Sequence, residues 1–534
     1  MPPRKATIGA RKQTAQAQAQ ELPKPRTRGA KRSVASKAKA DTADEAQGRA
    51  KRARLGEDKT KLERREDAHP KSPKKTHTQG GAHRPSKKSS AAVPVPVSDQ
   101  PPAINTRPSQ TLDIFVFGDG SFGELGLGNK KFDGKRPSHV KQPRLNHKLL
   151  AGEVGVVQIA CGGMHAVALT RDGRVLTWGV NDEKALGRET SWEGDVEDDD
   201  DDEGLDPGES TPAEVDLSPL GEKRQVVQVK ATNSASFVLT DIGTVYGWGT
   251  FRGTDGVFGF NRDVTIQAIP VQVPGLENIT SLASGANHML ALDKDGKVFT
   301  WGADGQFQLG RKPLTRHGGP RASLSPMACG RFTRAHRAVH IAAGSYHSFY
   351  VDNRGRLWSW GLNNFAQTGH ADAGGGTDNA VVPSPKVVAS GALRGRCVAR
   401  VDGGEHHSVA CDTAGQTLAW GRVDAHQVGL PPAELTEENT ISDGSGRPRI
   451  LFRPTVLPDL SATFVLCCSD TTMAITPGGE AYSWGFSANR QTGQGTREDV
   501  EVPTQIVAPD LAGKKLVWAG MGGQYGMLAS AHES

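Results

Sequence analysis

Short apolar runs, separated by tight polar turns, fill most of the chain. Val156 to Ala160 (V-V-Q-I-A) is one, His165 to Thr170 (H-A-V-A-L-T) a second and Arg174 to Trp178 (R-V-L-T-W) a third. Each has the length of a strand. The R-D-G between the last two reads as a hairpin turn in which glycine supplies positive φ. Apolar residues at helical spacing are nearly absent, so the pattern predicts strands almost throughout.

The runs recur on a fixed beat. Aromatic-glycine pairs stand at Phe117, Trp178, Trp248, Trp301, Trp360, Trp420 and Trp484, at intervals of 61, 70, 53, 59, 60 and 64 residues. A glycine lies five residues before each of the six tryptophans, and His165, His288, His347 and His407 lie thirteen residues before four of them. Ala235 and Thr471 take the histidine place in the other two. Nine residues after the aromatic comes a further glycine (Gly126, Gly187, Gly310, Gly369, Gly429, Gly493), except after Trp248. Repeated units of this length, each of four strands, predict a β-propeller.

The two ends settle the number of blades. Residues 516–529 match the first half of a unit, with Tyr525 in the histidine place, and residues 113–128 match a second half. One blade split between the termini closes the ring and hides its edges. The expectation is an all-β, seven-bladed propeller over 111–534, preceded by an arm over 1–110.

Charge separates the arm from the body. Residues 1–110 hold 26 Lys and Arg against 10 Asp and Glu and no aromatic residue, whereas 111–534 hold 39 against 49. So little apolar surface cannot offset the entropy of ordering, so the arm is expected to be disordered and basic. An acidic run, Glu197 to Glu203, makes about 191–212 a disordered insertion by the same reasoning. No apolar stretch is long enough for a helical membrane span, and no signal peptide is read at the start. The six cysteines show no C-x-x-C spacing and read as reduced thiols, most of them packing residues, in an intracellular protein.

Residues Cys161 to Arg188 (C-G-G-M-H-A-V-A-L-T-R-D-G-R-V-L-T-W-G-V-N-D-E-K-A-L-G-R) closely resemble the repeat of the regulator of chromosome condensation family. The resemblance extends over about 111–530 and all seven units. It implies a seven-bladed propeller, and for the family's best-known members an exchange factor for the small GTPase Ran. Other proteins with this repeat do other work, so a chromatin- or protein-binding adaptor without exchange activity is the second reading.

An enzyme is the distant reading. No H-E-x-x-H, nucleophile elbow or phosphate-cradling G-x-x-x-x-G-K-[ST] is present, and no metal or cofactor is expected. Histidines recurring at one place read as hydrogen-bonding staples within each blade. The residue just before the staple varies instead: Met164, Ser234, Asn287, Tyr346, His406, Asp470 and Gln524. Equivalent staples would set these seven in a ring at one rim, a surface shaped for one partner. Ser234, Asn287, His406, Asp470 and Gln524, with Arg311 in a neighbouring loop, are the candidate rim contacts. The resemblance implies a contact role at positions 252, 287, 311 and 406. Asn287 departs from it, since relatives commonly carry an acid there.

The missed beat marks the second candidate. After Trp248 the chain runs Phe251, Arg252, Gly253, Thr254, Asp255, Gly256, Val257, Phe258, Gly259, Phe260, which reads as an insertion of two residues with an aromatic tip, the beat glycine arriving two residues late at Gly259. The resemblance places the family's wedge here, a hairpin protruding from one blade towards the GTPase.

The arm carries Lys31-Arg32, the cluster Lys51, Arg52 and Arg54, and Lys71, Lys74 and Lys75 around Ser72. These suit a nuclear import receptor and the DNA of a nucleosome, which basic side chains reach through charge and counterion release. A phosphate on Ser72 would lower the local positive charge. A nuclear, chromatin-associated monomer is the expected state.

Overall fold

The computed structural model describes residues 102–191, 204–221, 224–313, 316, 319–371 and 380–533. They form a ring of seven antiparallel sheets. Blade 1 is built from Val156–Cys161, His165–Thr170, Val175–Gly179 and Ala213–Glu214. Blade 2 contains Val226–Ala231, Ala235–Thr240, Val245–Gly249 and Gln267–Gln272. Blade 3 begins at Ile279–Ser284, blade 4 at Ala338–Ala343, blade 5 at Val398–Gly403 and blade 6 at Phe464–Cys468. Among the described residues blade 5 alone gains a fifth strand, Thr440–Ser442, paired to the long Pro448–Ser461.

Blade 7 is the split one. Leu112–Asp119 pairs with Tyr525–Ala531 in register Leu112 to Ala531, Phe115 to Leu528 and Gly118 to Tyr525. The chain's two ends are thus zipped together by a full strand ladder, as the half-units predict.

One interblade device explains most of the repeated residues. His288 Nε2 bonds Ser348 Oγ in the next blade at 2.7 Å, and Ser348 Oγ donates to the Gln308 carbonyl at 2.9 Å. The same carbonyl accepts the Trp360 indole N–H at 2.8 Å. His165–Ser236–Ala185, His347–Ser408–Gln367 and His407–Thr472–Gln427 repeat the relay, with Trp248, Trp420 and Trp484 closing it. The staple therefore joins neighbouring blades rather than acting within one, which corrects the expectation. A blade face is apolar, so its few polar groups must meet across the seam to be satisfied. Tyr525 does the work in blade 7, donating to the His165 carbonyl at 2.7 Å.

The glycines fit the same seam. A Cβ on Gly187 would lie 2.7 Å from the Trp248 indole nitrogen, and on Gly429 2.7 Å from that of Trp484. The beat glycine is bare because the next blade's tryptophan lies across it.

Two boundaries differ from expectation. Residues 102–110, assigned to the disordered arm, run as a strap along the propeller. Asn105 Nδ2 donates to the Ile279 carbonyl at 2.8 Å and Arg107 Nε to that of Val226 at 2.8 Å. Extended backbone can be ordered by side-chain bonds to turn carbonyls without any aromatic anchor, which composition does not reveal. Likewise residues 204–212 are ordered: Leu205 is buried and Asp206 caps a short helix, Pro207–Ser210. The acidic run itself and the arm's basic clusters lie outside the described residues.

Candidate partner-binding rim

The seven variable residues are structurally equivalent. Each backbone carbonyl accepts from the residue two beyond the blade aromatic: Val180 to Met164, Thr250 to Ser234, Ala303 to Asn287, Leu362 to Tyr346, Arg422 to His406, Phe486 to Asp470 and Asp119 to Gln524, at 2.8 to 3.0 Å. The glycine between lets the strands approach. A Cβ on Gly249 would come within 2.3 Å of the Ser234 carbonyl, and Gly249 has φ +91°. All seven variable residues are half-buried and immediately precede the second strand of their blade, so they share one rim.

The stretch after Trp248 is a hairpin of its own. Phe251–Gly253 pairs with Gly256–Gly259, Arg252 opposite Val257 and Gly253 opposite Gly256, with Thr254 and Asp255 at the turn. Its aromatic residues are the root and not the tip. Phe251 and Phe260 are buried, and both stack on Phe237 with ring centroids 5.8 and 6.1 Å away; Trp301 of blade 3 meets Phe237 edge-on at 5.9 Å. The exposed end is Arg252, Gly253, Thr254 and Asp255, with Val257 its outward apolar side chain. Phe258 is half-buried against the root cluster.

Gly259 is not a delayed beat glycine. Its φ is +141°, far from the +63° to +79° of the true beat positions, and it faces Leu324 and Arg321 of blade 3. The hairpin replaces the beat rather than lengthening it.

Two neighbours brace the stem. Asn287 Oδ1 of blade 3 accepts the Arg252 backbone N–H at 2.8 Å. Arg252 Nη1 pairs with Glu183 Oε1 of blade 1. A hairpin alone is marginally stable, so these braces and the phenylalanine root fix its direction. Glu183 was not picked out from the sequence, although the signal exists. It stands five residues after Trp178, where the other blades carry Phe122, Gln306, Phe365, Ala425 and Asn489.

The other rim candidates divide. His406 meets the Phe365 ring at 4.9 Å, and burial lowers its pKa against the opposing pull of Glu405. Asp470 accepts from Gln427 Nε2 at 2.9 Å, and Gln524 Nε2 donates to Glu124 Oε1 at 2.8 Å. Arg311 does not belong with them. Its Nη2 donates to the Thr300 and Ser325 carbonyls at 2.7 and 3.0 Å, and Arg188 does the same with the Thr177 carbonyl at 2.9 Å. Nε and Nη2 of Arg311 thus form a repeated internal clamp on its own blade, and Nη1 is buried without a hydrogen-bond partner.

Among the described residues no cluster of His, Cys, Asp or Glu is arranged to hold a metal. The repeated histidines are neutral. Burial lowers His165 and His407 to about 4 and His288 to about 3. Since each partner hydroxyl donates onward, Nε2 carries the proton, and the groups cannot act as acids or bases near neutral pH.

The described residues thus form a closed seven-bladed ring with one varied rim and one braced hairpin. Residues 113–528 match the RCC1-like domain. The chain belongs to the regulator of chromosome condensation family. It is 39% identical to guanine nucleotide exchange factor SRM1 of Saccharomyces cerevisiae over 433 residues, 78% of this chain and 86% of that protein. The structure of Prp20p from Saccharomyces cerevisiae, described with its binding properties to Gsp1p and histones, superposes with TM-score 0.70 at 37% identity, over 80% of this chain and 92% of that one. Yeast RCC1 (Prp20) bound to Kap60 gives TM-score 0.71 at 35% identity, over 86% and 97%.

Proposed function

We propose that this protein is a guanine nucleotide exchange factor for a Ran-type GTPase, docked on the half-buried rim, with Phe251 to Phe260 as the wedge. The observation that carries this reading is the bracing of one hairpin from both neighbouring blades. A surface loop with no task would not need a buried phenylalanine root, a carboxylate and an amide to hold its direction. The exchange-factor name of SRM1 and the binding of Prp20p to Gsp1p support it.

The mechanism needs no covalent chemistry. A GTPase that holds nucleotide with picomolar affinity gains about −16 kcal/mol and releases it slowly. A scaffold that binds the empty GTPase better than the loaded one must weaken nucleotide binding by the same factor. A stiff hairpin is suited to this. It can occupy space that the phosphate-cradling loop needs when nucleotide is bound, and its own root does not yield.

The arm completes the reading. Lys31, Arg32 and the Lys51 cluster would engage an import receptor, and the arm as a whole would tether the propeller to chromatin through DNA phosphates. The Kap60 complex of yeast RCC1 supports the first assignment and histone binding by Prp20p supports a place on chromatin, while the arm's hold on DNA phosphate rests on its charge alone. The test is release of fluorescent GDP from purified Ran by substoichiometric amounts of the full chain. Acceleration is expected; an unchanged rate leaves the adaptor reading in its place.

A further inference from the structure

The body is acidic overall, yet residues 130–148 hold seven Lys and Arg against a single acid, Asp133. They occupy the loop and the outermost strand, His139–Leu145, of blade 7. Lys130, Lys135, Arg136, Lys141 and Lys148 are exposed. The scaffold under them is fixed. Phe132 and Lys135 exchange backbone bonds of 3.1 and 3.0 Å, the Phe132 ring stacks on His147 at 3.9 Å, and Arg144 Nη2 donates to the Arg136 carbonyl at 2.9 Å. The loop's cations are thus tied to the strand's.

The chain also carries the complementary charge. Glu197 to Glu203 are seven consecutive acids, and the described chain resumes at Gly204. Six residues beyond that return point the chain is anchored against blade 7: the Gly128 N–H donates to the Ser210 carbonyl at 2.9 Å. Lys148 Nζ and Thr211 Oγ1 flank the same glycine, 3.9 and 3.7 Å from where its Cβ would stand. One end of the acidic insertion therefore touches one end of the basic island. Glu203 is seven residues from Ser210, at most about 25 Å of extended chain. A tether this short gives an effective concentration on the order of millimolar. The strap residues Ile104 and Asn105 lie elsewhere, bonding the Asp241 carbonyl just past the end of the blade 2 strand Ala235–Thr240 that is remote from Ser234.

We propose that the basic island of blade 7 is the docking surface for the chain's own acidic run, Glu197 to Glu203. Each exposed pair contributes little, about 1 kcal/mol or less, and the pairing rests on several together with the short tether. It is screened by salt, and an external polyanion must displace it to reach the island.

Zero-length carbodiimide coupling of the full chain, followed by peptide mapping, tests this. A one-to-one mixture of nitrogen-15 and natural-abundance protein separates links within a chain from links between chains. At low salt the expected amide links join acids of 197–203 to Lys130, Lys135, Lys141 or Lys148 within one isotopic form. They should fade at about 0.5 M salt, where screening is within a few ångströms. Lys130→Gln with Lys135→Gln and Lys141→Gln should reduce them severalfold at an unchanged melting temperature. Links to arm lysines such as Lys31 or Lys51, links only between isotopic forms, or no links from 197–203 would overturn the proposal.

Discussion

The Asn287 side-chain carbonyl holds the backbone N–H of Arg252 at 2.8 Å, so a rim residue of blade 3 fixes the stem of a hairpin rooted in blade 2. A carboxylate could accept the same bond. Asn287→Asp should therefore keep GDP release within about twofold of wild type. Asn287→Ala removes the acceptor, and a lost bond of about 1 kcal/mol should slow release five- to tenfold. Melting temperature should not move in either variant. A wild-type release rate for Asn287→Ala would show that the brace is idle.

The phenylalanine root makes a different prediction. Phe237 lies between Phe251, Phe260 and Trp301. Phe237→Ala should cost about 3–5 kcal/mol, read as a large drop in melting temperature. Val257, by contrast, is 40% exposed at the hairpin's outer side. Val257→Ser should leave stability unchanged and slow exchange.

Arg311 and Arg252 should separate cleanly. Arg311→Ala leaves the Thr300 and Ser325 carbonyls without their donor, so the melting temperature should fall while the folded protein exchanges normally. Arg252→Ala should do the reverse, since its ion pair is half-exposed and contributes little to stability. A rim role for Arg311 would appear as slowed exchange at unchanged stability.

Burial holds His288 at about 3, below its ordinary 6.5. The unfolded chain takes its proton first as pH falls, so the stability of the Ser348 staple is complete above 6.5 and is lost progressively towards 3. His288→Gln has no such titration. The gap in melting temperature between wild type and variant should narrow from pH 7 to about pH 5. A gap that stays constant or widens would contradict the neutral staple.

Much of this was legible in the sequence because a closed repeat writes its own register. The tryptophan, the glycine after it and the histidine recur since each fills one place in every seam, and Tyr525 in the histidine place revealed the split blade. What failed was direction. A recurring histidine does not say whether it reaches into its own blade or the next, and Ser236, Ser348, Ser408 and Thr472 looked like ordinary strand residues. Phe251 and Phe260 read as a tip because apolar residues in a loop suggest exposure. The three-dimensional fact that Phe237 lies beneath them has no local signature. The resemblance draws Arg311 to the rim, though Arg188 at the same place two units earlier already suggests a structural repeat.

The central claim is that the braced hairpin expels nucleotide. Its most direct test is GDP release from Ran by a protein lacking Thr254 and Asp255, the turn between Gly253 and Gly256. The account predicts release at the unassisted rate from a protein that melts as wild type and still binds Ran through the rim. Wild-type release by the shortened protein would contradict it.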